Sequence, residues 1–235
     1  MFIASAILIF VLFIFLATGL YLSGAVVHPR TCSPDETYRY ELEMGRINEK
    51  EFNAMKKEEV YIDSPHGYKI YGLFFPVQNS KKAVIICHGI TWTLFGCVKY
   101  MDMFLKRGFN VLIYDHRNHG KSGGKNTTFG YYEKDDLKAA VDWICDRLGE
   151  GCIVGTMGES LGAATVLQHS AIDHRLAFCI ADCSYSDILE LFRIRLKNDF
   201  HFPAFPLLPI ASFFAWVRTG VRFSDISPAK DIEKT

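Results

Sequence analysis

The chain has 235 residues, which is enough for one large α/β domain with a short extension, or for two small domains. Hydrophobic residues make up 49% of it and charged residues 22%, as in a packed globular core, so the composition excludes a disordered chain. The 26 basic and 26 acidic residues cancel, and without a basic surplus we expect no nucleic acid among its partners.

The first predicted element is an apolar helix at the N-terminus. Residues 1–27 contain no charged side chain, and a helix of about 20 residues can cross the hydrocarbon core of a membrane. A cleaved signal peptide is the alternative, with Ser23-Gly24-Ala25 as its cleavage site, but the basic residues that open a signal peptide are absent. We therefore predict a single-pass membrane anchor over residues 1–27. Arg30 and Arg39 follow it, which favours a cytoplasmic domain.

A charged segment and a hairpin come next. Ser33-Pro34-Asp35-Glu36 is typical of a helix start, with serine at the N-cap, proline in the first position and two acids in the first turn. We predict one helix from there to about Lys57, so that residues 28–57 form a stalk. Glu59–Asp63 and Tyr68–Phe75 flank a Pro/Gly turn, which predicts an antiparallel hairpin.

From residue 83 onward, short apolar runs alternate with helical patterns. The runs are Ala83–Cys87, Val111–Tyr114, Cys152–Met157 and Ala177–Ala181. Because they lack polar alternation, they suit strands that are buried on both faces of a parallel sheet. Tyr131–Leu148 has its apolar residues on one helical face and is followed by Gly149, a frequent helix end. The alternation predicts a doubly wound α/β sheet with an antiparallel edge over residues 58–235.

A nucleophile motif joins the third apolar run to a helix that begins at Leu161. The sequence Gly158-Glu159-Ser160-Leu161-Gly162 is a G-x-S-x-G motif, and in this context a tight strand-to-helix turn lifts the serine above the sheet. The N-terminus of the helix also stabilises developing negative charge. We predict that Ser160 is a catalytic nucleophile. The alternative is a serine N-cap without catalytic role.

Acyl transfer also needs hydrogen-bond donors for the oxyanion of the tetrahedral intermediate. We expect the backbone N–H of Leu161 to be the first donor, because it directly follows the nucleophile. The second should come from the loop His88–Trp92, where we expect the N–H of Ile90, with Thr91 as the alternative. His88 precedes the nucleophile in the chain, and we expect it to brace this loop rather than act as the base.

Three features occurring in order resemble the α/β-hydrolase superfamily, in particular the branch of serine aminopeptidases and monoacylglycerol-lipase-like enzymes. They are His88-Gly89, the loop Asp115–Ser122 and the motif Gly158–Gly162. The resemblance covers roughly residues 58–235 and implies an α/β-hydrolase fold with a helical lid at about residues 184–223. It also implies that the loop Asp115–Ser122 is mainly structural.

The same loop contains two histidines, His116 and His119, that could be considered as metal ligands. A third ligand is not found near them, and the seven cysteines form no zinc-binding spacing. We therefore expect neither a metal nor a cofactor.

The predicted lid is rich in aromatic residues. Ser186 and Asp187 cap its first helix, and an apolar segment continues through His201–Pro209 to Ile210–Val217. An apolar lid over a catalytic serine favours an acyl substrate. Alternatively, these aromatic residues pack the domain or contact the bilayer.

The sequence departs from the family pattern in its catalytic triad, whose order in this fold is serine, acid, histidine. The resemblance places the acid after a seventh strand and the histidine after an eighth, so we expect both, with the last strands, beyond residue 235. None of the three histidines that follow Ser160, namely His169, His174 and His201, occupies the position of the triad histidine. Asp182 could be the acid of a variant triad, or could brace the turn into the lid.

Two functions remain open. We expect a serine hydrolase that acts on a small-molecule or peptide acyl substrate (ester, thioester or peptide) through an acyl-enzyme on Ser160. The alternative is a non-catalytic protein of the same fold that binds or scaffolds at the membrane.

Overall fold

The computed structural model describes residues 2–234; Met1 of the predicted anchor and Thr235 at the end of the predicted domain lie outside the described residues. The helices are α1 (Phe2–Val27), α2 (Pro34–Glu43), α3 (Glu49–Ala54), α4 (Val98–Leu105), α5 (Glu133–Leu148), α6 (Leu161–Ser170), α7 (Ile188–Asp199), α8 (Ala204–Thr219) and α9 (Pro228–Ile232). The strands are β1 (Glu58–Asp63), β2 (Lys69–Phe75), β3 (Lys82–Cys87), β4 (Asn110–Tyr114), β5 (Ile153–Glu159) and β6 (Leu176–Asp182).

The strands form one sheet in the order β1-β2-β4-β3-β5-β6. β1 and β2 form the predicted antiparallel hairpin, and β2 is also antiparallel to β4. The pairs β3–β4, β3–β5 and β5–β6 are parallel. The predicted α/β sheet, mostly parallel with an antiparallel N-terminal edge, is therefore confirmed.

The central strands explain the continuous apolar runs, because helices cover both faces of the sheet. Along β3, Val84 and Ile86 belong to the core that packs on α4, whereas Ile85 and Cys87 belong to the core beneath α5 and α6. Successive residues of a strand point to opposite faces, so burial on both faces requires an apolar residue at every position.

β6 differs from the other predicted strands. Among the described residues it pairs only with β5, and Ile180 is 39% exposed. The prediction that all four runs are buried on both faces is therefore wrong for β6. Its apolar composition is the same as that of the central strands, but its position at the edge leaves part of its surface uncovered.

The prediction of a single helix from Ser33 to about Lys57 is also wrong. The start is as expected, with the Ser33 Oγ accepting a hydrogen bond from the Glu36 N–H at 3.2 Å. However, α2 ends at Glu43, and Gly45 follows with a φ of +68°, a left-handed conformation that commonly terminates helices. Ile47 and Phe52 are buried in the core beside β2, so this segment packs on the domain instead of extending from it as a stalk.

The C-terminal part of α1 packs on the rest of the domain. Phe2–Ile14 is exposed, while Gly19, Ser23 and Val27 are buried. The N–H of Thr127 donates to the carbonyl oxygen of Val27 at 2.8 Å, which fixes the end of α1 to the domain. Among residues 2–234, α1 is the one helix that is by itself long and apolar enough to cross a membrane.

Helices α7 and α8 occupy the segment predicted to form the lid. The Asp187 carboxylate accepts hydrogen bonds from the N–H groups of Leu189 and Glu190, as expected for the N-cap of α7. The inner face of α8, with Ala211 and Ala215, shares an apolar cluster with residues near the start of α6. Both helices therefore lie on the side of the sheet where β5 meets α6.

Candidate active site

Ser160 is the single residue that connects β5 to α6. Its φ of +54° and ψ of −110° are rare for a residue other than glycine. The Ser160 N–H donates to the Asp182 carbonyl at 2.9 Å, and the Ser160 carbonyl accepts from the Ala164 N–H at 3.0 Å. These two bonds hold the backbone in its strained conformation. The half-exposed side chain makes no capping hydrogen bond with α6, so the interpretation of Ser160 as a simple N-cap does not fit.

Two glycines permit this tight connection. A Cβ atom on Gly158 would lie 2.2 Å from the backbone of Gly162, and one on Gly162 would lie 2.2 Å from the carbonyl oxygen of Cys87. Neither backbone neighbour can rotate away as a side chain would. Both positions of the motif therefore require glycine for close packing of β3, β5 and α6.

The loop after β3 reaches Ser160. A Cβ atom on Gly89 would lie 3.5 Å from the Ser160 Cβ, so this backbone borders the space above the serine. The N–H of Thr91 already donates to the Nε2 of His119 at 3.1 Å, which removes the alternative oxyanion donor. Within residues 2–234, the N–H groups of Ile90 and Leu161 have no hydrogen-bond acceptor, as two oxyanion donors would require.

Buried histidines hold this loop in place. The Nε2 of His88 accepts the N–H of His116 at 2.9 Å, and its Nδ1 donates to the carbonyl oxygen of Gly89 at 2.8 Å. Burial, with His116 and His119 nearby, lowers the pKa of His88 well below its usual range, so the ring is neutral at pH 7. Because both ring nitrogens are occupied, His88 braces the loop and does not face Ser160 as a base.

The loop Asp115–Ser122 is held by a buried carboxylate. The Asp115 Oδ1 accepts from the Leu94 N–H at 2.8 Å, and Oδ2 accepts from the Lys121 N–H at 2.9 Å. Burial raises the pKa of Asp115 to about 6. The Ser122 hydroxyl donates to the Asp115 carbonyl oxygen at 2.6 Å. These contacts join the two ends of the loop to each other and to Leu94, which agrees with a structural role for the loop.

Two residues of α4 adjoin the turn at Ser160, and sequence reasoning missed both. The Lys99 ammonium pairs with the Glu159 carboxylate at 2.8 Å, and the Tyr100 hydroxyl donates to the Asp182 Oδ2 at 2.8 Å. Hydrogen bonds from Cys183 and Tyr100 hold the pKa of Asp182 below its usual value. The Asp182 side chain thus braces the end of β6, and within the described residues no histidine contacts it.

The remaining histidines after Ser160 lie elsewhere. His169 is buried in α6 and faces Asp173 at 3.5 Å, and burial lowers its pKa to about 4. No hydrogen bond joins a histidine of residues 2–234 to the Ser160 side chain. A cavity of about 520 Å³ lies near the start of β5 and is lined by Cys145, Cys152 and Arg175, so it is separate from the serine.

Comparisons with known proteins agree with this geometry. A family model described as alpha/beta hydrolase fold matches residues 82–228. The uncharacterized protein YqkD of Bacillus subtilis is 37% identical over 221 residues, which cover 93% of this chain and 72% of that protein. A thiohydrolase of Eupenicillium brefeldianum is 29% identical over 136 residues, which cover 54% of this chain and 42% of that protein. The crystal structure of the Pyrococcus furiosus esterase Pf2001 superimposes with a TM-score of 0.60 and 27% identity, over 75% of this chain and 68% of that one.

The packing of the turn can be tested with Gly162→Ala. Alanine normally stabilises a helix by about 1 kcal/mol relative to glycine. Here the methyl group would meet the Cys87 carbonyl oxygen, so we expect the free energy of unfolding to fall by about 2–3 kcal/mol, measured by urea unfolding in detergent.

Gly108→Ala is the matched control. Gly108 has a φ of +77° and no atom within 4 Å of an added Cβ, so only its backbone conformation is penalised, by about 1 kcal/mol. A loss at Gly162 no larger than that at Gly108 would show that the close approach does not constrain the turn.

Proposed function

The chain belongs to the α/β-hydrolase fold family, and on this premise we propose that it is a serine hydrolase with Ser160 as nucleophile. The observation that carries the proposal is the strained Ser160 backbone at the end of β5, beside the loop at Gly89. The esterase and the thiohydrolase among the similar proteins support hydrolysis of an ester or thioester bond. A peptide bond is the third acyl substrate that this chemistry accommodates.

In the proposed reaction, the Ser160 Oγ attacks the acyl carbonyl carbon while a base removes its proton. The N–H groups of Ile90 and Leu161 then donate to the oxyanion of the tetrahedral intermediate. The intermediate expels the alcohol or thiol, which takes up the proton, and leaves the acyl group as an ester on Ser160. Water attacks this acyl-enzyme in the second step and releases the acid.

The proposal assigns the triad base and acid to residues outside 2–234. Three observations support it. Both ring nitrogens of His88 bond to backbone groups of Gly89 and His116, His169 faces Asp173, and the Asp182 carboxylate accepts from Tyr100. None of these side chains is arranged as a base–acid pair toward Ser160.

We further propose that α1 anchors the protein in a membrane as a single span. Its length and composition support this, and so does the lack of any charge up to residue 27. Arg30 and Arg39 follow the span, which favours a cytoplasmic position for the domain.

The same histidine geometry favours a second candidate, a non-catalytic protein of this fold that binds or scaffolds at the membrane. It differs from the first in one respect that can be measured, which is whether Ser160 is reactive. The next two experiments separate the candidates.

In the protein expressed from its complete reading frame, we expect Ser160 to react with a fluorophosphonate probe, because an activated serine attacks phosphorus as it attacks a carbonyl. Ser160→Ala should abolish labelling, while Ser224→Ala, at an exposed serine, should not change it. Labelling that survives Ser160→Ala contradicts the assignment, and wild-type protein that does not label favours the scaffold.

The 235 residues alone should hydrolyse p-nitrophenyl esters no faster than their Ser160→Ala variant. A serine without its base retains only the help of the oxyanion donors, which do not depend on its hydroxyl. A rate that depends on Ser160 would place the base within this chain and would direct mutagenesis to His88, His116 and His201.

The anchor predicts that the protein stays in the membrane pellet after a carbonate wash, and that deletion of residues 1–30 releases it. Mass spectrometry gives the control, since a mature N-terminus near Val26 would establish a cleaved signal peptide and contradict the anchor.

A further inference from the structure

Helix α8 packs along the C-terminal part of α1. The rings of Phe15 and Phe214 are 5.8 Å apart, and a Cβ on Gly19 would overlap the Phe214 ring and touch Ile210 at 3.0 Å. Farther along, the Arg218 guanidinium donates to the carbonyl oxygen of Leu20 at 3.2 Å. The two helices therefore run side by side over residues 15–20 of α1.

The length of α1 decides at which depth this contact lies. Phe2–Ile14, the part that precedes the contact, has 13 residues and is about 20 Å long at 1.5 Å per residue. The hydrocarbon core of a bilayer is about 30 Å thick and needs about 20 residues, which extends the span to about Tyr21. If α1 spans a membrane, its contact with Phe214 therefore lies within the hydrocarbon core.

The composition of α8 fits that position. Residues 202–217 contain no charged side chain, and the first charge is that of Arg218, which reaches Leu20 near the expected end of the span. The side of α8 that faces away from the domain is apolar and exposed. This lipid-facing strip consists of Phe205, Phe213, Trp216 and Val217, of which Phe205 is 78% exposed and Val217 61%.

Two arginines lie at the C-terminal end of the strip. The Arg222 guanidinium lies over the Trp216 ring, 5.2 Å from its centroid, and Arg218 is one turn further along the chain than Phe214. Tryptophan and arginine are common at the level where the hydrocarbon core meets the lipid headgroups. The first charged residues, Arg218 and Arg222, therefore lie where α8 would leave the hydrocarbon core.

We propose that α8 lies in the same membrane leaflet as the end of α1, with the lipid-facing strip against acyl chains and with Arg218 and Arg222 at the headgroups. The occupant of this surface is the lipid bilayer itself, because α1 and α8 share one depth. The inference rests on the proposed anchor, and it adds a second membrane element that does not cross the bilayer.

Quenching by brominated lipid tests the placement. The full chain is reconstituted in phosphatidylcholine vesicles with or without brominated acyl chains, and tryptophan emission is compared. We expect bromolipid to lower the emission of the wild-type protein and Trp216→Phe to lose most of that quenching. Trp143→Phe is the matched control, since Trp143 packs on Phe74 of the sheet, 5.3 Å between centroids, and should retain the quenching.

Each outcome separates the two proposals. Vesicle flotation first shows whether the chain is membrane-bound, and an unbound chain would overturn both the anchor and the placement of α8. A chain that floats but is quenched equally in wild type and Trp216→Phe overturns the placement of α8 and leaves the anchor standing. If Trp216 is protected from the brominated lipid only at a high protein-to-lipid ratio, the strip instead binds a second copy of the chain, and the placement against lipid is wrong.

Discussion

The close approach of three backbones is the constraint on which the candidate site depends. Gly158 in β5 touches Gly162 in α6, and Gly162 in turn touches Cys87 at the end of β3, with no room for a methyl group at either glycine. This contact fixes where β3 ends relative to Ser160. The loop at Gly89 consequently begins beside Ser160, whose strained conformation persists because its N–H and carbonyl are both bonded.

Neutral histidines hold the two loops next to this contact, His88–Trp92 and Asp115–Ser122. Burial lowers the pKa of His116 to about 3 and also lowers that of His119, so both rings are neutral at pH 7. His88 and His119 each connect a loop amide to a carbonyl oxygen, and their bonds to the Gly89 carbonyl and the Thr91 N–H hold the backbone on both sides of Ile90. The residue types that resemble catalytic groups in the sequence are therefore used here to hold the backbone.

The sequence predicted those features that local pattern determines. The unbroken apolar runs of β3, β4 and β5 indicated strands that are buried on both faces, and the glycines around Ser160 indicated a tight turn. The features that the sequence did not predict depend on where an element lies in the tertiary structure. An apolar run does not tell an edge strand from a central one, which is why the exposure of Ile180 was missed. Likewise, Lys99 and Tyr100 lie 60 and more residues before their partners Glu159 and Asp182, and only the parallel arrangement of β3 beside β5 brings them together.

One apolar cluster joins α1 to the turn at Ser160. Val27 at the end of α1, Ala211 and Ala215 on the inner face of α8, and Leu161 directly after Ser160 all belong to it. If the outer face of α8 contacts lipid, the thickness of one helix, about 10 Å, separates the acyl chains from this cluster. An acyl substrate that approaches along α8 then stays in apolar surroundings until its carbonyl meets the amides beside Ser160. If both proposals hold, this arrangement would favour a substrate with a long acyl chain over a water-soluble peptide, because the chain would enter the site without the cost of exposing its apolar surface to water.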